Sequence, residues 1–189
     1  MPVDPNSLAT WANAITVGRL LLSPIMFLLI PADSAGSWAA LAFWMLLSFS
    51  DGVDGWLARR HGTTRSGAFL DPLADKVLIL GAMFTLVGRG MFGLVPVVII
   101  AGREFAISIY RSVAGTRGVS VPATQLAKAK TLVQQLAVGF ALLPLTAVDA
   151  TWIWQTLLWA AVLLALVSGW QYLVRARQHK TPVEVGDAL

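Results

Sequence analysis

Ser50-Asp51-Gly52-Val53-Asp54-Gly55-Trp56-Leu57-Ala58-Arg59 and Gly67-Ala68-Phe69-Leu70-Asp71-Pro72-Leu73-Ala74-Asp75-Lys76 set four carboxylates at the ends of two apolar runs. At about 100° per helical residue, Asp51 and Asp54 share a face with Gly55 and Ala58, and Asp71 and Asp75 share a face with Gly67. The link from Arg60 to Ser66 is short, so the two helices are expected as antiparallel neighbours whose four acids converge. At membrane depth each carboxylate costs about 2.5 to 3.5 kcal/mol on an insertion scale. A cost of that size implies a use.

The rest of the chain supplies the apolar setting. Of 189 residues 57% are hydrophobic and 13% charged, with a mean hydropathy of +0.70. A water-soluble domain carries roughly 25% charged residues, so an ordinary soluble fold is excluded. No cysteine is present, which removes disulfides, zinc-thiolate sites, iron-sulfur clusters and cysteine nucleophiles together. The net charge of +4 does not point to nucleic acid, because the basic residues lie between apolar runs and not on one solvated face. A membrane surface is the expected anionic partner.

A bilayer crossing needs about 17 to 25 mostly apolar helical residues. Six segments fit: Ala14 to Ile30, Ser37 to Leu57, Ala68 to Val87, Phe92 to Val113, Leu132 to Val148 and Trp152 to Val174. The connections Pro31 to Gly36, Gly88 to Gly90 and Val148 to Ala150 hold one basic residue, Arg89. The opposite loops and the tail hold Arg59, Arg60, Arg65, Arg111, Arg117, Lys128, Lys130, Arg175, Arg177 and Lys180. The positive-inside rule then puts both termini in the cytoplasm. The expected fold is an all-α integral membrane domain over residues 1–189, with six transmembrane helices. Residues 1–13 are expected to form a short interfacial helix, with Ser7 as N-cap and Trp11 at headgroup level, and 179–189 a polar tail. The start lacks a secretory signal's positive region and cleavage site, so it is expected on the mature protein.

Four carboxylates in one apolar pocket repel one another and take up protons unless a cation intervenes. Hard oxygen ligands suit Mg²⁺ or Mn²⁺, as one ion or a pair. Gly55, Ala58 and Gly67 on the same faces leave room for a bulky ligand near the backbone, and metal ligands beside small residues read as a nucleotide diphosphate site. Helix packing through small residues competes for the glycines alone, but not for the whole set.

Asp51-x2-Asp54-Gly55-x2-Ala58-Arg59-x7-Gly67-x3-Asp71-x3-Asp75 resembles the signature of the CDP-alcohol phosphotransferase family. The resemblance implies six transmembrane helices around a site facing the cytoplasm, at the cell membrane, in a homodimer. It implies Asp51, Asp54, Asp71 and Asp75 as ligands of two metal ions that engage the CDP pyrophosphate, with Asp75 also the catalytic base for the acceptor hydroxyl. It assigns Asp51, Gly55, Ala58, Arg59 and Gly67 to the CDP pocket.

Asn13-x2-Thr16-x2-Arg19 resembles the family's amino-terminal motif and marks three auxiliary candidates, for which helix-end capping is the competing reading. Arg103-Glu104-Phe105-Ala106-Ile107, Arg111, Gln125 to Thr131 and Ser168-Gly169-Trp170-Gln171-Tyr172 resemble the branch that makes phosphatidylglycerol phosphate. Gly102 stands where that branch has Ala, and Ala127 where it has Gly. Independently of family, Arg103, Arg111 and Lys128 can clamp a phosphate dianion, Arg by bidentate contacts and Lys as a point charge. Glu104 is a possible partner beside them. Membrane anchoring accounts for Arg117, Arg175, Arg177 and Lys180. Lys76, directly after Asp75, is expected to point away from the acid face and to pair elsewhere or snorkel. His61 and His179 lie in polar segments, so no histidine base or metal site is expected.

The expected reaction is transfer of a phosphatidyl group from CDP-diacylglycerol to sn-glycerol 3-phosphate, with release of CMP. The nearest alternatives are inositol phosphate as acceptor, or phosphatidylglycerol in a cardiolipin synthase. A rival of another class is an ion carrier, which predicts acids spread across the membrane and no phosphate clamp.

Overall fold

The computed structural model describes residues 11–61, 65–116 and 125–178, and the side chains of 13–50, 70–116, 125–172 and Val174. All regular structure among them is helical: α1 (Trp11–Leu28), α2 (Trp38–His61), α3 (Arg65–Gly88), α4 (Leu94–Thr116), α5 (Gln125–Leu142), the short α6 (Pro144–Ala147) and α7 (Thr151–Gln178).

The six long helices match the six apolar segments, with two boundary differences. In the described residues α1 starts at Trp11, so Asn13 lies in its first described turn. Ser7 and the rest of 1–10, and the tail 179–189, lie outside the described residues. Helix α5 starts at Gln125, seven residues before the expected Leu132, and stops at Leu142. Pro144 stands at the head of α6; having no N–H and a fixed φ, it fits a first turn and not a continuing helix. Among the described residues one helix, over Thr151–Tyr172, is long and apolar enough by itself to cross a membrane, while Asn13–Leu28 and Trp38–Ser50 are shorter apolar stretches.

The bundle is built on two centres. Helix α1 packs on both α2 and α3, and α7 packs on both α4 and α5, while α2 and α3 also reach α5. The ends of α2 and α3 where the four acids are expected to converge lie largely outside the described side chains; in the described part α1 packs on both helices. Small residues bring helices close. Ala137, Ala141, Ala161 and Ala165 are fully buried on α5 and α7, the kind of surface through which membrane helices approach. At Gly81 a Cβ would lie 2.3 Å from the tip of the Phe27 ring, so glycine leaves the space on α3 that this ring of α1 fills.

The three short connections gather at one end. Ser34 Oγ donates to the Arg89 carbonyl at 2.7 Å, and the Ser37 amide donates to the Leu142 carbonyl at 2.8 Å. Gly36 has φ +73°, and a Cβ there would sit 2.8 Å from the Leu142 oxygen and 2.9 Å from the Pro144 nitrogen. The ends of α1, α3, α4 and α5 that carry the candidate residues all lie at the opposite end.

Polarity is inverted relative to a soluble bundle. Asn13, Thr16, Arg19, Ser23, Lys130, Gln134 and Ser168 are buried, while Leu21, Leu28, Phe49, Val95, Ile109, Trp152, Leu163 and Trp170 are exposed. Such a continuous apolar exterior marks a surface made for an apolar neighbour.

Candidate active site

Asp71 and Asp75 lie one turn apart on α3, facing α1. Thr16 Oγ1 donates to Asp71 Oδ1 at 2.7 Å, and Arg19 Nη1 donates to Asp75 Oδ1 at 2.5 Å. The Arg19 side chain is fully buried and that of Asp75 is 37% exposed. Arg19 Nε also donates to Ser50 Oγ at 3.3 Å, and Ser50 in turn donates to the Leu47 carbonyl at 2.7 Å. Through Arg19, α1 joins α3 to the residue that precedes Asp51 on α2. Asn13, Thr16 and Arg19 follow a three-residue spacing that puts them on one face, and all three are buried. Helix-end capping is thereby ruled out for Thr16 and Arg19, which bond to the aspartates of another helix.

A cavity of about 480 Å³ opens beside these aspartates, bounded by α3, α4, α5 and the end of α7. Arg103, Arg111 and Lys128 line it together with Asp71 and Asp75, so the acid pair and the three basic candidates share one space. Arg111 and Lys128 are exposed. Arg103 is held in place: Nη2 donates to Ser168 Oγ at 2.8 Å, Nη1 to Glu104 Oε1 at 3.3 Å, and the guanidinium carbon lies 5.7 Å from the centroid of the Tyr172 ring. Its Nε is buried without a hydrogen-bond partner among the described residues. The Glu104 carboxylate also pairs with Lys130, so one acid joins α4 to α5 across the cavity.

Several of these roles were missed by reading the sequence. Lys76 Nζ donates to the Pro72 carbonyl at 3.4 Å, so it pairs elsewhere as expected, yet the residue also lines the cavity that Asp75 lines. Lys130, read from the sequence only as one of the basic loop residues, is 3% exposed and paired with Glu104. Ser168 and Tyr172 were noted only as part of a string. Their signal is a four-residue polar spacing in the apolar run of α7, and Lys130 and Gln134 in α5 have the same spacing. The departure at Gly102 is neutral, since a Cβ there meets nothing within 4 Å, whereas Ala127 lines the cavity beside Lys128.

Asp51, Asp54, Gly55, Ala58 and Arg59 lie on the second half of α2, and Gly67 in the first turn of α3; their side chains lie outside the described residues. Among the described residues no group of three or more metal-ligating side chains occurs. What the described part offers is an all-oxygen pair, Asp71 and Asp75, beside a cavity with cationic walls. That donor chemistry fits a hard divalent cation shared with a phosphate ligand.

A family model described as CDP-alcohol phosphatidyltransferase matches residues 9–167, from before the α1 motif to the edge of Ser168. The chain belongs to this family. Members of the family are in general dependent on a divalent metal ion. The chain is similar to the CDP-diacylglycerol–glycerol-3-phosphate 3-phosphatidyltransferase of Bacillus subtilis, with 37% identity over 180 residues, covering 85% of this chain and 91% of that protein. It is also similar to the protein of the same name from Rickettsia bellii, 30% identical over 185 residues, covering 95% and 99%, and to that of Cereibacter sphaeroides, 30% identical over 208 residues, covering 87% and 94%. The matched span contains Arg103, Arg111 and Lys128 as well as the four aspartates, so the likeness covers both halves of the site.

Proposed function

We propose that this CDP-alcohol phosphatidyltransferase transfers the phosphatidyl group of CDP-diacylglycerol to sn-glycerol 3-phosphate, giving phosphatidylglycerol phosphate and CMP. The observation that carries the reading is the cavity that Asp71 and Asp75 line together with Arg103, Arg111 and Lys128. An acceptor that is itself a phosphate needs such cations within reach of the acids that serve the donor. An ion carrier has no use for this arrangement.

Asp51, Asp54, Asp71 and Asp75 are read as the ligands of two Mg²⁺ or Mn²⁺ ions. When bound, the metal neutralises charge on the pyrophosphate and on the departing CMP. Gly55, Ala58, Arg59 and Gly67 shape the CDP pocket. Asp75 accepts the proton of the acceptor's C1 hydroxyl as that oxygen attacks phosphorus. Arg103, fixed from behind by Ser168, Glu104 and Tyr172, offers a preset guanidinium to the acceptor phosphate, and Arg111 and Lys128 close around it. Fixing these groups in advance lowers the ordering cost of bringing two substrates together.

The apolar exterior supports a multi-pass position in the cell membrane, and the basic ends of the helices support a site and both termini on the cytoplasmic side. We read the protein as a homodimer on the family resemblance alone. The test is release of CMP from CDP-diacylglycerol by purified protein, with sn-glycerol 3-phosphate, inositol phosphate or phosphatidylglycerol as acceptor. Release driven by either of the last two in preference to the first would overturn the acceptor assignment.

A further inference from the structure

The cavity contains a buried donor that the mechanism above leaves unused. Gln134 on α5 is 2% exposed and lines the cavity, yet its Nε2 has no hydrogen-bond partner among the described residues. Buried side-chain donors are nearly always satisfied, and one left unpaired costs about 1–3 kcal/mol. The helix turn that carries the amide is well anchored. Its neighbours Ala137 and Val138 are fully buried, and the Gln135 carbonyl accepts from Trp44 Nε1 at 3.2 Å, pinning this turn of α5 against α2.

Gln134 lies one turn beyond Lys130, about 6 Å along the axis, and both line the space that Arg103 and Asp75 enter from other helices. Three chemically distinct partners thus surround the cavity: a cationic group, a carboxylate and a neutral amide. The proposed acceptor carries three matching groups on neighbouring carbons: a phosphate on C3, a hydroxyl on C2 and the attacking hydroxyl on C1.

We propose that Gln134 is a specificity-determining residue that binds the C2 hydroxyl of the acceptor and thereby selects its stereochemistry. The proposal rests on glycerol 3-phosphate being the acceptor. An amide both donates and accepts, so it suits a hydroxyl in either orientation. Contacts to the phosphate and C1 hydroxyl alone cannot distinguish mirror images. A third contact does, because in the sn-1 enantiomer, docked by the same two groups, the C2 hydroxyl points away from Gln134 and leaves the amide unpaired. No bond is made or broken at this residue.

The test uses the full chain with CDP-diacylglycerol and a divalent metal, and three acceptors: sn-glycerol 3-phosphate, sn-glycerol 1-phosphate and 3-hydroxypropyl phosphate, which lacks the C2 hydroxyl. The parent should prefer the first over the other two. In Gln134→Met, kcat/KM for sn-glycerol 3-phosphate should fall by roughly 10- to 100-fold. The value for 3-hydroxypropyl phosphate and the KM for CDP-diacylglycerol should stay unchanged, so both selectivity ratios approach one. Gln134→Asn, with a shorter reach, should give intermediate ratios and covers failure of the Met variant to fold. Ratios preserved in either active variant, or equal loss on all three acceptors, overturn the proposal. Failure of the parent to use any of the three acceptors, with turnover of another alcohol, would instead reject the acceptor reading itself.

Discussion

Arg19 Nη1 lies 2.5 Å from Asp75 Oδ1, and the arginine side chain has no exposed surface. A buried guanidinium carries a large desolvation cost, offset only by good geometry and further hydrogen bonds; here the carboxylate and Ser50 Oγ supply them. The pair fixes the rotation of α3 against α1 at the carboxylate read as the catalytic base.

Replacing Arg19 by Lys keeps the charge but not a planar fork able to serve Asp75 and Ser50 at once. Arg19→Lys should lower kcat by at least about tenfold and leave the KM for sn-glycerol 3-phosphate within about twofold. Steady-state kinetics decide it: a change confined to the acceptor KM would place Arg19 in acceptor binding instead. Thr16→Val, which removes a single neutral donor to Asp71, should have a smaller effect, about 1 kcal/mol.

Chelation should abolish turnover, and Mg²⁺ or Mn²⁺ should restore it, because the candidate ligands are all carboxylates. Activity in excess chelator, with tightly held metal excluded by elemental analysis, would sink the two-metal reading.

Asp75→Asn should reduce turnover by about 10² to 10⁴ while weakening CDP-diacylglycerol binding less than Asp54→Asn does. Donor binding measured on both variants separates the roles. Equal loss would make Asp75 chiefly a metal ligand.

Arg103→Lys should raise the KM for sn-glycerol 3-phosphate and barely change that for CDP-diacylglycerol. Ser168→Ala removes the partner of Nη2 and should shift the acceptor KM in the same direction by less. If Arg103→Lys and Arg111→Lys both leave the acceptor KM unchanged, the phosphate lies elsewhere.

At the other end of the bundle, Gly36→Ala should destabilise the fold by about 1–3 kcal/mol. The position combines φ +73° with backbone atoms at 2.8 and 2.9 Å from a would-be Cβ. A thermal melt in detergent reads the effect, and an unchanged midpoint would mean that the connection after α1 can rearrange.

Much of the site was legible because helical periodicity is local. The spacing of Asp71 and Asp75 fixes a shared face wherever α3 packs, and so does the spacing of Asn13, Thr16 and Arg19. An arginine inside an apolar run, as at Arg103, announces that something must compensate it. The break after α5 was less legible, since apolar content continues through Pro144 to Val148 and hydrophobicity alone cannot register the missing N–H. That Lys76 lines the cavity as well as bonding to the Pro72 carbonyl was not legible, because the direction of Cβ constrains a long, flexible side chain only weakly.

Composition and periodicity alone determined that this chain is a helical membrane-type domain with acids and cations at the same helix ends. Those properties depend on residues close together in sequence. Only the tertiary structure decided that α1 packs on both α2 and α3, that Thr16 and Arg19 bind aspartates 55 and 56 residues away, that Glu104 reaches Lys130, and that Gln134 lines the cavity. Such pairings depend on how each helix is rotated and how closely it approaches its neighbour. Both are set by the packing of whole surfaces, down to the missing Cβ of Gly81 beneath the Phe27 ring, and no spacing along a single helix encodes them.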